Sequence, residues 1–225
     1  MGWPVAHSRS PRLHGYWLEK YAIDGAYLPL AVPPERIGQA LAALPALGFA
    51  GCNVTVPHKE EALAAVDRVE ETAERIGAVN TIVVEEDGSL TGSNTDAYGF
   101  MANLRAGVGD WRHDRPALVL GAGGAARAII VGLLDDGVPG IRLCNRTQSR
   151  AESLADELGP GIDVVPWSER SEACAGSGLL VNTTTLGMAG KAPLEIFLTE
   201  LDAEAVVSDI VYAPLETDVL RSARA

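Results

Sequence analysis

At 225 residues, 47% of them hydrophobic and 21% charged, the chain has ordinary globular composition and length for one large or two small domains, which excludes a disordered or fibrous protein. A formal net charge of −12, with the 18 basic residues scattered, argues against a nucleic-acid partner, because phosphates are repelled by the average surface. No run approaches the roughly 18 apolar residues that span a bilayer, and Met1 leads into Gly-Trp-Pro rather than a basic and then apolar signal. A cytoplasmic monomer or homodimer with a small-molecule partner is expected. Cys52, Cys144 and Cys174 lie far apart in apolar surroundings, as reduced core thiols do, so neither a disulfide framework nor a metal knuckle is expected.

In chain order, short β-branched runs alternate with longer amphipathic ones, separated by Gly and Pro, which is the pattern of parallel βαβ units. Pro11 to Tyr21 reads as a helix with Ser10 as N-cap and Pro11 at its first position, followed by a strand at Ala26 to Val32 and a helix at Pro34 to Leu44. Next come a strand near Gly51 to Val56, helices near Lys59 to Val66 and Val69 to Ile76, and a hairpin of Thr81 to Glu85 with Ser89 to Thr91 across Asp87-Gly88. A helix near Phe100 to Arg105 and a turn-rich Gly107 to Arg115 lead into a strand at Ala117 to Leu120.

That strand runs into Gly121-Ala122-Gly123-Gly124-Ala125 and then a helix, with Gly121, Gly123 and Ala126 on the spacing G-x-G-x-x-A. The first glycine permits a tight turn, the second lets the backbone approach a pyrophosphate, and the small third residue lets helix and sheet pack closely. About 20 residues on, where an NAD enzyme keeps a carboxylate for the ribose hydroxyl, the next strand, Ile141 to Cys144, ends in Asn145-Arg146-Thr147. Arg146, with Arg150 one turn later, offers planar guanidinium groups suited to a 2′-phosphate, so NADP(H) is expected over NAD. The alternative is that both arginines are solvated residues at a helix start. The fold class expected is α/β in two domains: residues 1–98, an N-terminal substrate domain with a mainly parallel sheet, and residues 99–225, a C-terminal Rossmann-type NADP-binding domain.

The chemistry is expected in the first half, where four polar clusters stand out: His7 to Pro11 with Ser8 and Ser10, Asn53 to Lys59 with Thr55, Gly77 to Thr81 with Asn80, and Gly92 to Phe100 with Asp96. Lys59 and Asp96 read as an acid/base pair, since hydride addition to a ketone generates an alkoxide that a neighbouring ammonium stabilises and protonates. An ordinary surface lysine with a turn aspartate is the alternative. His58, the rival base, is expected to point away from the site, and His7 and His14 lack partners at metal-ligand spacing.

Together the clusters resemble the shikimate dehydrogenase family over essentially the whole chain. The match comprises His-Ser-x-Ser-Pro from His7, Asn-Val-Thr-Val-Pro-His-Lys from Asn53, Gly-Ala-Val-Asn-Thr from Gly77, Asn-Thr-Asp-x-x-Gly-Phe from Asn94, Gly-Ala-Gly-Gly-Ala from Gly121, Asn-Arg-Thr from Asn145, Asn-Thr-Thr-x-x-Gly-Met from Asn182 and Asp-Ile-Val-Tyr-x-Pro-x-x-Thr from Asp209. The resemblance implies reversible NADPH-dependent reduction of 3-dehydroshikimate to shikimate, in aromatic amino-acid and chorismate biosynthesis. It assigns the ring carboxylate to Ser8 and Ser10, the hydroxyls to Thr55, Lys59, Asn80 and Asp96, and the acid/base step to Lys59. Tyr212 matches the tyrosine that closes on substrate from the cofactor domain; Gly121 to Ala125, Asn145, Arg146, Thr147, Arg150 and Ile210 match cofactor contacts, and Glu71 matches a position sometimes assigned to the cofactor.

Gly15 departs from the family pattern, standing where many members have Asn. The resemblance also implies an apolar strand ahead of Met1, and beyond Ala225 a return helix bearing a substrate-contacting glutamine. The chain is therefore expected to be a fragment that folds poorly or is inactive alone. Three other functions fit the same motifs: a quinate or aminoshikimate dehydrogenase, a non-catalytic NADP-binding protein, and one module of a larger polypeptide.

Overall fold

The computed structural model describes residues 1–6, 8–109 and 111–224. They form two compact units, Met1–Asn94 and Thr95–Ala225.

In the first unit, helix α1 spans Ser10–Lys20. Ser10 is its first residue and not its cap: Arg9 takes the cap position, and the Ser8 hydroxyl accepts the Ser10 N–H at 3.2 Å. The Ser-x-Ser spacing lets the earlier serine reach an amide that the helix leaves without a partner. Ala26 to Val32 forms no strand. It is tied to Gly2 by a parallel bridge at Ala31, with Gly2 N–H to Leu30 O and Val32 N–H to Gly2 O both 3.2 Å. Pro4, two residues on, has no N–H with which to continue a ladder. A 3₁₀ turn at Pro34–Arg36 precedes α2, Ile37–Ala42.

Strand β1 (Gly51–Asn53), helix α3 (Lys59–Ala65), strand β2 (Arg68–Val69), helix α4 (Glu71–Ile76) and strands β3 (Thr81–Val84) and β4 (Leu90–Ser93) complete the unit. Gly77 ends α4 at φ 73°, returning its N–H to Ala73 O and Glu74 O, a left-handed cap that costs a residue with Cβ more than glycine. The sheet order is β1-β3-β4-β2. In place of the mainly parallel sheet expected here, β1–β3 and β3–β4 are antiparallel and β2–β4 is parallel. The Asp87-Gly88 hairpin has no crossover, so its strands must run oppositely. Asp87 stiffens that turn by accepting the N–H and hydroxyl of Ser89, which with Arg68 hold its carboxyl down at about 2. Val69, expected at a helix start, is drawn with Arg68 into the sheet instead. Leu41, Leu44, Val54, Ala62, Ala73, Val79, Ile82 and Leu90 form the core.

The second unit opens with α5, Asp96–Val108, which begins four residues before the expected Phe100 and carries Asp96 in its first turn, where a carboxylate complements the helix dipole. It continues through β5 (Ala117–Leu120), α6 (Gly124–Asp135), β6 (Ile141–Cys144), α7 (Gln148–Leu158), β7 (Ile162–Val165), β8 (Leu179–Asn182), β9 (Val206–Asp209) and α8 (Asp218–Ala223). All four ladders are parallel, in the order β7-β6-β5-β8-β9. Both faces of this sheet are covered: Val119, Leu143 and Val181 pack with Ala126, Ile129, Ile130 and Leu133 of α6, while Leu118, Leu120 and Leu180 pack with Cys174, Leu194 and Val219. Each leucine so buried contributes about 1.5–3 kcal/mol.

All three cysteines are free thiols. Burial pushes Cys144 up to about 12 and Cys174 to about 11 in the core of the second unit, and raises Cys52 in the first. Thiols held protonated in the fold should resist iodoacetamide at pH 8 and alkylate fully only in denaturant. Because the unfolded thiols ionise near 9.0, this contribution to stability is complete below pH 9 and lost as pH rises from there toward 12. A melting temperature that holds or rises over that window would contradict it.

Candidate active site

On the first unit the polar residues gather where β1 leaves the sheet. The chain turns at Thr55 to His58, with His58 N–H on Thr55 O at 3.0 Å, and α3 starts at Lys59. His58 is completely buried and its Nε2–H donates to Val32 O at 2.8 Å, so it fastens the 26–32 segment to this turn. Lys59 O accepts the Val79 N–H at 2.8 Å, Asn80 O accepts the Val54 N–H at 2.8 Å, and Asn80 N–H donates to Ser93 O at 3.0 Å. Main-chain bonds thus bring Lys59 and Asn80 together. The buried Asn94 amide holds this loop by donating to Ala78 O at 2.8 Å. Thr55 is exposed, Lys59 half-buried and Asn80 buried.

A second connection escaped sequence reasoning. Tyr27 Oη donates to Asn53 Oδ1 at 2.8 Å, Asn53 Nδ2 donates to Thr81 Oγ1 at 3.1 Å, and Thr81 Oγ1 donates to Asn80 Oδ1 at 2.8 Å. The Tyr27 ring stacks on His14 of α1 with centroids 4.1 Å apart, and burial raises its phenol while the Ser10 hydroxyl beside it lowers it. One donor chain therefore joins the Ser10 end of α1 to the Asn80 amide, whose oxygen is committed to Thr81. Asn53→Ala cuts this chain in the middle and takes the acceptor from the partly buried Tyr27 hydroxyl, so a loss of about 1–3 kcal/mol is expected in denaturant unfolding; an unchanged midpoint would show the chain to be dispensable.

On the second unit, Gly121 leaves β5 at φ 111°, and a Cβ there would stand 2.4 Å from Thr183 Oγ1. Thr183 in turn donates its N–H and hydroxyl to Leu120 O at 2.8 and 2.7 Å. No side chain fits at Gly121, so the chain can turn tightly against Thr183 there, and at Gly123 the space where a Cβ would stand is open. Gly123 caps α6, Gly124 and Ala125 start it, and Ala126 is fully buried beneath it. The first-turn N–H groups of this helix have no helical partners, as a pyrophosphate site requires. After β6, Asn145 Nδ2 donates to Thr147 O at 2.8 Å, and Arg146, Thr147 and Arg150 are exposed beside the start of α7. Ile210 and Tyr212 follow β9, 37% and 46% exposed.

Ser8, Ser10, Thr55, Lys59 and Asn80 thus belong to the first unit, while Asp96 and Tyr212 belong to the second. Glu71, exposed at the start of α4, lies in the first unit, and His7 lies outside the described residues. Among the described residues no cluster of His, Cys, Asp or Glu could hold a metal, and no helix is long and apolar enough to cross a membrane.

Two family models match: the shikimate dehydrogenase substrate binding domain over residues 1–82, and shikimate / quinate 5-dehydrogenase over residues 106–188. The chain is 58% identical to the shikimate dehydrogenase (NADP(+)) of Paramagnetospirillum magneticum, an alignment spanning 100% of this chain and 82% of that protein. The crystal structure of shikimate 5-dehydrogenase from Thermus thermophilus in complex with NADP(H) and shikimate matches at TM-score 0.86 and 40% identity, over 99% of this chain and 81% of that one. Quinate dehydrogenase from Corynebacterium glutamicum in complex with NAD matches at TM-score 0.90 and 29% identity, over 99% and 82%. With 58% identity over 82% of the Paramagnetospirillum magneticum relative and both units carrying the expected turns, the chain belongs to the shikimate dehydrogenase family.

Proposed function

We propose that this chain catalyses the reversible NADP-dependent interconversion of shikimate and 3-dehydroshikimate in the cytoplasm. The observation that carries this reading is the bonded frame that sets Lys59 at the start of α3 beside Asn80, with Thr55 opening the same turn. Ser8 and Ser10, at the start of α1, bind the ring carboxylate, and Thr55, Asn80 and Asp96 bind ring hydroxyls. The residues after β5 fit a dinucleotide because Gly121 makes the tight turn against Thr183 that only a residue without Cβ allows, and Gly123, with open space where its Cβ would stand, caps α6. Arg146 and Arg150 after β6 fit a 2′-phosphate.

NADPH, when bound, supplies the hydride. The Lys59 ammonium donates a proton to the oxygen that was the ring ketone; in the reverse direction the neutral amine takes the hydroxyl proton as hydride leaves the carbon. Asp96 is assigned to the same acid/base step, Tyr212 to the substrate, and Glu71 is the remaining cofactor-side assignment. The test is absorbance of NADPH formed from shikimate and NADP⁺, beside quinate and beside NAD⁺. Turnover greatest with shikimate and NADP⁺ supports the assignment; preference for quinate or NAD⁺, or no turnover with any pair, overturns it.

A further inference from the structure

Asp209, the last residue of β9, gathers more polar contacts than any step of the proposed chemistry uses. Its Oδ1 accepts Asn182 Nδ2 at 3.0 Å and the Val211 N–H at 2.9 Å, and its Oδ2 accepts the Thr217 hydroxyl at 2.7 Å. Asn182 and Thr217 are 1% and 2% exposed. Asn182 extends the cluster: its Oδ1 accepts the N–H and hydroxyl of Thr184 at 3.0 and 2.7 Å, and its Nδ2 also donates to Leu186 O at 3.1 Å. The two loops are joined once more by Ala189 N–H to Ala213 O at 2.8 Å. Thr217 is the N-cap residue of α8, yet its hydroxyl makes no cap bond and goes to Asp209. That diversion shows where the hydroxyl is needed.

The sheet order says what the cluster serves. The glycine turn follows the central β5, and Arg146 follows β6 on one side of it. A dinucleotide with its pyrophosphate at the turn and its 2′-phosphate at Arg146 must extend its other half across the carboxyl ends of β8 and β9. The loops there are the two that Asp209 joins. By accepting the Val211 N–H, Asp209 bends the chain so that the flanking Ile210 and Tyr212 remain exposed.

We propose that Asp209, acting with Thr217, is a positioning residue that holds the Ile210–Tyr212 segment in place for the nicotinamide half of the cofactor. This rests on the NADP reading above. The Asp209 carboxylate touches neither cofactor nor substrate and works through the loop it fixes. Its bonds to Thr217 and Asn182 are charge-assisted and shielded from water, where such bonds are strongest.

The experiment compares two ligands on the wild-type chain and on Thr217→Val, Thr217→Ser and Asp209→Ala: NADP⁺, which engages both halves of the site, and adenosine 2′,5′-bisphosphate, which engages only the adenosine half. Titration calorimetry gives both affinities and NADPH absorbance gives kcat. Thr217→Val is expected to weaken NADP⁺ about tenfold and lower kcat, to leave the bisphosphate within about twofold, and to be rescued by Thr217→Ser. Equal weakening of both ligands would mean general damage to the unit and would overturn the proposal, as would unchanged NADP⁺ affinity and kcat. If Asp209→Ala does not fold, Thr217→Val decides alone, because its backbone link from Arg221 N–H to Thr217 O is kept. A wild-type chain that binds neither ligand overturns the NADP reading itself, and this proposal falls with it.

Discussion

Lys59→Ala should cut shikimate oxidation by about 10²- to 10⁴-fold, the range supplied by a positioned general acid or base, while its affinity for NADP⁺ stays at the wild-type value. The second half of that expectation follows from the assigned roles: Lys59 serves the ring oxygen, while the glycine turn and Arg146 serve the dinucleotide. The variant should also fold. A main-chain contact ties this position to the loop before β3, made by the Lys59 carbonyl with Val79 N–H at 2.8 Å, which alanine retains, and alanine is the better helix former at the first residues of α3. Lys59→Arg separates charge from proton transfer: it keeps a cation beside the ring oxygen, but a guanidinium does not give up its proton near neutral pH. It should be nearly as slow as Lys59→Ala in turnover while binding shikimate better. Arginine at wild-type rates would reduce Lys59 to an electrostatic role.

How much of this was legible depended on where each residue finds its partner. The start of the second unit could be read, because β5 is buried on both faces and so appears as an unbroken apolar run, whereas β7, β8, β9 and α8 were not picked out. The glycine turn was readable for the same reason: the residues that need it adjoin it in the chain. In the first unit the signals were weaker. Ala26 to Val32 has strand composition, but its pairing is limited to a bridge at Gly2, and composition does not report whether a ladder continues. Arg68 and Val69 carry helix-compatible side chains, and the parallel partner that makes them a strand, Thr91–Gly92, is remote in sequence. The Tyr27 to Asn80 chain was invisible for a related reason. Tyr27 is 26 residues from Asn53, and only the register that sets Asn53 opposite Thr81 brings the second link together. Asp209 and Thr217 were noticed as motif letters, but that both serve one carboxylate is a fact of three-dimensional geometry.

The cofactor preference gives the other large effect. Arg146→Ala should raise KM for NADP⁺ by roughly 10- to 100-fold, the equivalent of one charge-assisted hydrogen bond of about 1.5–3 kcal/mol, and should leave KM for NAD⁺ nearly unchanged, since NAD⁺ lacks the 2′-phosphate. The discrimination should shrink as salt is raised toward 1 M, because Arg146 is exposed and screening acts over about 3 Å at that strength. Asn145→Asp adds repulsion of the 2′-phosphate and offers a carboxylate to the ribose hydroxyls, so the pair Asn145→Asp/Arg146→Ala should invert the preference. The structure attaches a cost to the second change. Asn145 Nδ2 donates to Thr147 O at 2.8 Å across the residues that lead into α7, and an aspartate cannot donate; two oxygens would face each other unless the side chain swings outward. The double variant is therefore expected to lose about 0.5–1.5 kcal/mol of stability and to gain less for NAD⁺ than it loses for NADP⁺. Preference that stays with NADP⁺ in the double variant would place the 2′-phosphate elsewhere than on Arg146, and Arg150→Ala would then be the variant in which the same loss must appear.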